Sequence, residues 1–227
     1  ISRKRLKWIV KPTPGPHAIK HSFPLLLMIR DMLAMAKTRK EAQIILSEGN
    51  IKVDGKIRRK DDYPIGLMDV IEISKINKAY RLLPVPKKGL ILHPINGEEK
   101  EYKLCKILNK NIVKKGHLQL NLHDGKNILI KTTDPIENVY STSDLLKIKI
   151  PHLEVLKHLT FSEDVLALII GGKNSGRFGK IVKIMREKGS FLTTVTLVDD
   201  ENTQFKTILD YVFPIGKDEP WISLPEG

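Results

Sequence analysis

The stretch GGKNSGRFGK, Gly171 to Lys180, decides what kind of fold the C-terminal third can form. A phosphate-cradling P-loop has the form G-x-x-x-x-G-K-[ST]: backbone amides ring the phosphates, the lysine reaches the terminal ones and the hydroxyl holds Mg²⁺. Gly171 and Gly176 have that spacing, but Arg177 stands in place of the lysine and Phe178 in place of the hydroxyl. Downstream, Ile181, Val182 and Ile184 form a short β-branched run, not a helix whose N-terminus would hold an anion. The dinucleotide pattern G-x-G-x-x-G fails too. The loop therefore joins two strands, its glycines closing a turn or admitting the close approach of another group.

VLALII (Val165 to Ile170) enters the loop and KIVKIM leaves it, and FLTTVTLV, the acidic turn DDEN and TQFKTI supply further strands. Short strands with glycine-rich turns predict a small β-barrel. Asp199, Asp200 and Glu201 are read as a solvated turn. Upstream, LQLNL (Leu118 to Leu122) alternates, HDGK supplies turn residues, and NILI returns the strand; LKIKI (Leu146 to Ile150) alternates likewise. The middle of the chain is thus mostly β. Asp124 of its Asp-Gly turn is explained by backbone geometry, not as a catalytic partner of His123. Pro84 and Pro86 mark a boundary before it.

In the N-terminal part, Leu25, Met28, Ile29, Met32, Leu33 and Ala36 have helical spacing, and Pro24 suits a first helical position, so one amphipathic helix is predicted. Thr38 and Glu41 make a capping box opening a second helix that carries Ala42, Ile45 and Leu46 inward and stops at Gly49. Arg30, Lys37, Arg39 and Lys40 gather near the corner between them, where a basic cluster can grip phosphates. In IKVDGKIRRK (Ile51 to Lys60), Asp54-Gly55 signals a tight hairpin. Before all this, Ile1 to His21 contains no acidic residue, and PTPGPH denies it regular structure. It reads as a basic arm that orders against a polyanion.

The whole chain has 39 Lys plus Arg against 26 Asp plus Glu, a formal charge of +13, which points to a polyanionic partner. No apolar run is long enough to span a membrane. A single cysteine, Cys105, excludes a disulfide framework and a cysteine-rich zinc site; it is read as a small core residue. The N-terminus lacks the apolar stretch of a signal peptide, so an intracellular, reducing home is expected. The first residue, Ile1, suggests that native sequence precedes it.

The run from Pro24 to Ser74 resembles the S-four type RNA-binding domain, a helical pair backed by strands. That resemblance implies a basic surface for structured RNA at Arg30, Thr38, Arg39, Lys52, Lys56, Arg58 and Arg59. The glycine loop with its flanking strands resembles the KOW motif, an SH3-like barrel module. It implies that the glycines let the backbone approach RNA, with Lys173, Arg177 and Lys180 on phosphates and Asn174 and Ser175 on sugars or bases. In order, PTPGPH, PLLLMIRD, EEKEYKLCKI, LQLNLHDGKN and GGKNSGRFGKI are similar nearly end to end to the archaeal and eukaryotic small-subunit ribosomal S-four-e family.

The resemblance implies an α+β multidomain fold: a basic arm over 1–23, an S-four-like domain over 24–84, a central mostly-β domain over 85–157, and a KOW SH3-like barrel with its tail over 158–227. It implies a structural rRNA-binding role in the cytoplasmic small subunit. The partners would be small-subunit rRNA and neighbouring ribosomal proteins, with no membrane, small-molecule substrate, catalysis or dedicated cofactor, leaving room only for rRNA-associated Mg²⁺. Arg3, Lys4, Arg5, Lys7, Lys11, His17 and Lys20 of the arm would join the RNA surface, with Trp8 and Phe178 as candidate stacking residues. The rivals are a transcription-associated KOW protein and an RNA-modification enzyme, the latter disfavoured by the lack of a segment equipped for catalysis.

Overall fold

The computed structural model describes residues 9–131, 139–186, 192–199 and 201–225. Arg3, Lys4, Arg5, Lys7, Trp8 and Asp200 lie outside them. Strand β1 (Ser22–Pro24) leads into a three-residue helix α1 (Leu25–Leu27), a π-helical turn Met28–Met32, and helix α2 (Arg39–Ser47). The strands that follow are β2 (Ile51–Val53), β3 (Lys56–Ile57), β4 (Pro64–Gly66), β5 (Val70–Ile73), β6 (Lys78–Val85) and β7 (Gly89–Ile95). The middle of the chain supplies β8 (Tyr102–Ile112), β9 (Leu118–Leu122), β10 (Asn127–Ile130), β11 (Leu145–Lys149) and β12 (Glu154–Leu159). The last part supplies β13 (Leu166–Ile169), β14 (Phe178–Arg186), β15 (Thr193–Val198), β16 (Gln204–Ile208) and β17 (Val212–Gly216). The fold is mostly β with little helix.

Three five-stranded antiparallel sheets result, ordered β3-β2-β5-β6-β7, β10-β9-β8-β11-β12 and β16-β15-β14-β13-β17, with β1 and β4 pairing separately. The first sheet runs across the prolines where the sequence places a boundary: β7 pairs with β6 from Val85↔Gly89 to Ala79↔Ile95. β6 carries Pro84 inside it, and Lys87 adopts positive φ in the turn. The sheets meet in a common core of Met68 from the β4–β5 turn, Leu83 from the first sheet, Leu104 and Leu145 from the second, and Leu168, Phe213 and Ile215 from the third. Ile222 of the C-terminal tail closes it.

The predicted first helix is not one amphipathic helix. Leu25, Leu26, Leu27, Met28 and Ile29 are all buried, so this run has no solvent face to alternate with. The α-helical turn widens into the π-turn, where the Leu33 amide donates to the Met28 carbonyl, and Ala34 leaves at positive φ. Pro24 ends β1 at the N-cap instead of opening the helix. The second helix starts as predicted: the Thr38 hydroxyl accepts from the Glu41 amide at 3.2 Å. Glu41 reaches back to the Lys37 amide at 2.8 Å. Ala42 and Leu46 are buried, and Ile45 packs at the core's edge.

The arm is docked over its described part. Thr13 donates its amide to the Asp62 carbonyl at 3.0 Å. Val10 packs on the first core, and Gly125 lies so close to Pro16 that a Cβ there would sit 2.9 Å from its carbonyl oxygen. Ordering of residues 9–23 therefore comes from protein contacts, where the sequence reading expects a polyanion to supply it.

Candidate nucleic-acid interface

The hairpin turn Asp54-Gly55 has positive φ at both residues, as its sequence predicts. After β3 the chain turns back along α2. Arg59 reaches the C-terminal end of the helix, its guanidinium 3.3 Å from where a Cβ on Gly49 would stand. Asp61 accepts from Arg39 at 2.7 Å and from Gln43 at 3.1 Å further towards the N-terminus. The Arg58-Arg59-Lys60 run thus lies alongside α2, and the hairpin and helix present one basic corner.

Within this corner Lys40, Lys56 and Arg59 are exposed and make no ion pair among the described residues. Lys37 is exposed near Glu41, and Lys52 is half-buried on β2. Thr38 is committed to its cap. Arg39 remains about half exposed while holding Asp61. Arg58 stacks on Tyr63, 4.3 Å from the ring centroid. Arg30 folds onto its neighbour Asp31 at 2.8 Å. Lys11 and Lys20 are exposed on the arm.

His17, expected on the RNA surface, is buried. Its Nε2 lies 2.9 Å from both carboxylate oxygens of Asp69. Asp69 also accepts from the Gly66 amide at 2.9 Å and pairs with the buried Lys103 ammonium. Lys103 in turn reaches Asp54 at 2.9 Å and Asp124 at 3.0 Å, and Lys126 bridges the same two carboxylates. Burial alone would raise the Asp69 pKa, but Lys103 and His17 overcome it and hold the carboxyl below its usual range. Asp124 is held low in the same way, against burial, by Lys103, His123 and Lys126. Burial opposes the Lys103 charge, yet Asp54, Asp69 and Asp124 raise its pKa well above the ordinary value. Asp124 therefore does more than shape its turn.

This network joins the arm, the first hairpin, the β4–β5 turn, strand β8 and the β9–β10 hairpin. The sequence does not show this network as a site, because no local pattern couples a strand lysine to carboxylates of distant turns. Lys103, Leu104, Cys105, Lys106 and Ile107 are all buried, on a strand covered on both faces. Lys106 donates to the carbonyls of Leu209 and Val212 at 3.1 and 2.8 Å, tying β8 to the third sheet. Burial, partly offset by Asp210, pushes its pKa down to about 8.

The glycine loop packs on protein. A Cβ on Gly176 would stand 2.3 Å from the Pro86 nitrogen, and one on Gly171 would stand 2.7 Å from the Tyr211 ring. The close approach that these glycines admit is that of the first sheet and of Tyr211, a correction to the expected approach of RNA. Arg177 is bound by Asp199 and lies 4.5 Å from the centroid of Phe205. Asp199 is thus engaged, not merely solvated. Lys180 pairs with the exposed Asp164 at 3.1 Å. Lys173 is exposed, and Asn174, Ser175 and Phe178 are half-buried.

Among the described residues, one trio has metal-ligand spacing: Cys105, His123 and Asp124. Asp124 already carries two ammonium groups, and burial with Asp124 pushes the Cys105 thiol well up, so a cation would enter against both. His123 is pushed down to about 4 by burial and Lys103. No helix among the described residues is long and apolar enough to cross a membrane.

Comparison with known proteins bears on this geometry. The model of "Ribosomal family S4e" matches residues 76–155, and that of the "S4 domain" matches residues 32–71. The protein from Desulfurococcus amylolyticus named small ribosomal subunit protein eS4 is 50% identical over all of this chain and 91% of its own length. The protein of that name from Methanothermobacter thermautotrophicus is 43% identical over the same shares. The crystal structure of the 30S ribosomal protein S4e from Thermoplasma acidophilum superposes with a TM-score of 0.72 at 32% identity, over 87% of this chain and 96% of that one.

Proposed function

The chain belongs to the ribosomal S4e family, and on that premise we propose that it is a structural constituent of the small ribosomal subunit in the cytoplasm, binding folded rRNA beside neighbouring ribosomal proteins. The observation that carries the proposal is the basic corner inside the matched S4 domain, where Lys40, Lys56 and Arg59 stand exposed without an acidic partner among the described residues. Cations left free in this way neutralise phosphates and release counterions, which makes binding strongly salt-dependent. Lys37, Arg39, Lys52, Arg58 and Lys60 extend the same surface, and Lys11, Lys20 and Lys173 add separate points of contact.

The third sheet is read as an SH3-like barrel of KOW type, supported by its antiparallel order and by its own core of Val165, Ala167, Ile169, Ile181, Val195 and Leu197. The protein acts by binding, with no catalysis and no dedicated cofactor. The cations inside the molecule are consumed in holding carboxylates or carbonyls, so they serve the scaffold.

The test is sedimentation of a cell lysate on a sucrose gradient, followed by a high-salt wash of the small-subunit peak. Stoichiometric retention in washed small subunits is expected. Absence from that peak, or migration with RNA polymerase, would overturn the reading.

A further inference from the structure

The second sheet has an uncharged, polar outer face. Its register places Asn109, Asn121 and Asn127 side by side across β8, β9 and β10, and beside them Asn111, Gln119 and Leu129. Residues directly opposite in an antiparallel sheet share a face. Leu118, Leu120 and Leu122 point the other way into the core, so these two rungs face outward. A bulge between Ile107 and Asn109 turns β8 from its doubly buried half to this exposed half.

The six positions hold five carboxamides and one leucine, with no charged and no aromatic side chain. Asn109, Asn111 and Asn127 are exposed, and among the described residues their side chains make no hydrogen bond; Gln119 donates to Asn121 at 2.9 Å. At one end the register brings Ile112, Leu118 and Ile130 together, so Lys114 and Lys115 of the β8–β9 turn and Lys131 after β10 share that edge, all exposed.

We infer that this amide face is a second RNA-binding surface, seated in the minor groove of a double-helical rRNA segment, with Lys114, Lys115 and Lys131 on the flanking phosphates. The inference rests on the ribosomal reading above and assigns a surface outside the S4 domain. Three features select the occupant. Carboxamides each offer donors and acceptors, matching the 2′-hydroxyls and base edges that the wide, shallow A-form minor groove displays. Short amide side chains on an open sheet face fit a shallow groove. Single-stranded RNA is disfavoured because its bases need an aromatic platform, which the face lacks. The lysine edge supplies the charge complementarity to a polyanion.

The experiment measures binding of the full chain to purified small-subunit rRNA across a salt series, with 2′-hydroxyl reactivity mapped on the same complexes. The combined variant Asn109→Ala, Asn121→Ala, Asn127→Ala should bind roughly ten- to a hundred-fold more weakly, with the salt slope unchanged, since amides displace no counterions. Protection of one duplex's 2′-hydroxyls should vanish with it. The combined variant Lys114→Ala, Lys115→Ala, Lys131→Ala should lower the salt slope by about 2–3. Asn121→Asp, isosteric with the native side chain, should reproduce the affinity loss if the triple variant folds poorly, as judged by its thermal midpoint.

Native affinity and unchanged protections in the amide variants would overturn the inference. So would native affinity for free rRNA combined with loss from assembled subunits, which would make the face a protein-docking surface. If the wild-type chain itself does not bind small-subunit rRNA, the ribosomal reading falls first and this surface with it.

Discussion

Replacing Lys103 with methionine removes one positive charge from the centre of the buried network while keeping an unbranched apolar stem on β8. The Lys103 ammonium lies among Asp54, Asp69 and Asp124, which come from three separate turns. Lys126 keeps hold of Asp54 and Asp124, but Asp69 is left with only His17 and the Gly66 amide. Breaking a buried ion pair by removing one partner costs about 3–5 kcal/mol, because the other charge stays buried without compensation. With two of the three carboxylates still bridged, the lower part of that range applies, about 3–4 kcal/mol at pH 7. For a chain of this size that is a fall in Tm of roughly 6–16 °C.

The pH dependence separates charge from packing. In the wild type the Asp69 and Asp124 pKa values are depressed, so their stabilisation is present above the unfolded value, about 3.9, and is lost as pH falls through the lower folded values. Without Lys103 the burial of Asp69 is no longer offset, its pKa rises, and it takes up a proton at a higher pH than in the wild type. The Tm gap between wild type and Lys103→Met should therefore narrow from pH 7 to pH 4, read by circular dichroism melts. A gap of the same size at both pH values would refute the electrostatic account, and no gap at pH 7 would show that the network adds nothing to stability.

Four further outcomes follow from the same geometry. Gly176→Ala adds a Cβ into the backbone of Val85 and Pro86 at φ +89°, and should cost about 2–4 kcal/mol in a urea melt. Arg177→Ala should lower stability by about 1 kcal/mol, since it removes the Asp199 pair and the Phe205 stack, whereas Lys173→Ala should leave Tm unchanged and reduce the salt slope of rRNA binding by about 1. Lys106, with its folded pKa lowered to about 8, makes the wild type gain stability as pH rises from that value towards the unfolded pKa near 10.4, at up to about 1.4 kcal/mol per pH unit; Lys106→Met should flatten that rise.

What the sequence made legible was local. Asp54-Gly55 and the alternation of LQLNL specify their own turn and strand, because hairpin geometry and the two-residue period act between neighbours. Thr38 and Glu41 announce α2 for the same reason. The π-turn is invisible to helical spacing, which selects Leu25, Met28, Ile29 and Met32 although every position from Leu25 to Ile29 is apolar and buried. Lys103 and Lys106 escaped because no sequence pattern couples a strand lysine to carboxylates in three distant turns. The glycines of the C-terminal loop announce a close approach, but the approaching group, Pro86, comes from the β6–β7 turn of a different sheet.

These non-local contacts bear on affinity as much as on stability. Several weak RNA contacts reinforce one another only when the scaffold holds them at the spacing the RNA presents, since a loosely tethered second site gains little effective concentration when its reach is spread over many geometries. The basic corner belongs to the first sheet, the amide face to the second, and Lys173 to the third. Between them stand the Lys103 network, the Lys106 bonds to Leu209 and Val212, Gly176 seated on Pro86, and the shared core under Ile222. A chain of +13 must also keep its outward cations apart from its own acids. Sequestering Asp54, Asp69 and Asp124 beneath the surface around two lysines does both at once: it locks the first sheet to the second, and it withdraws three carboxylates from the molecular surface.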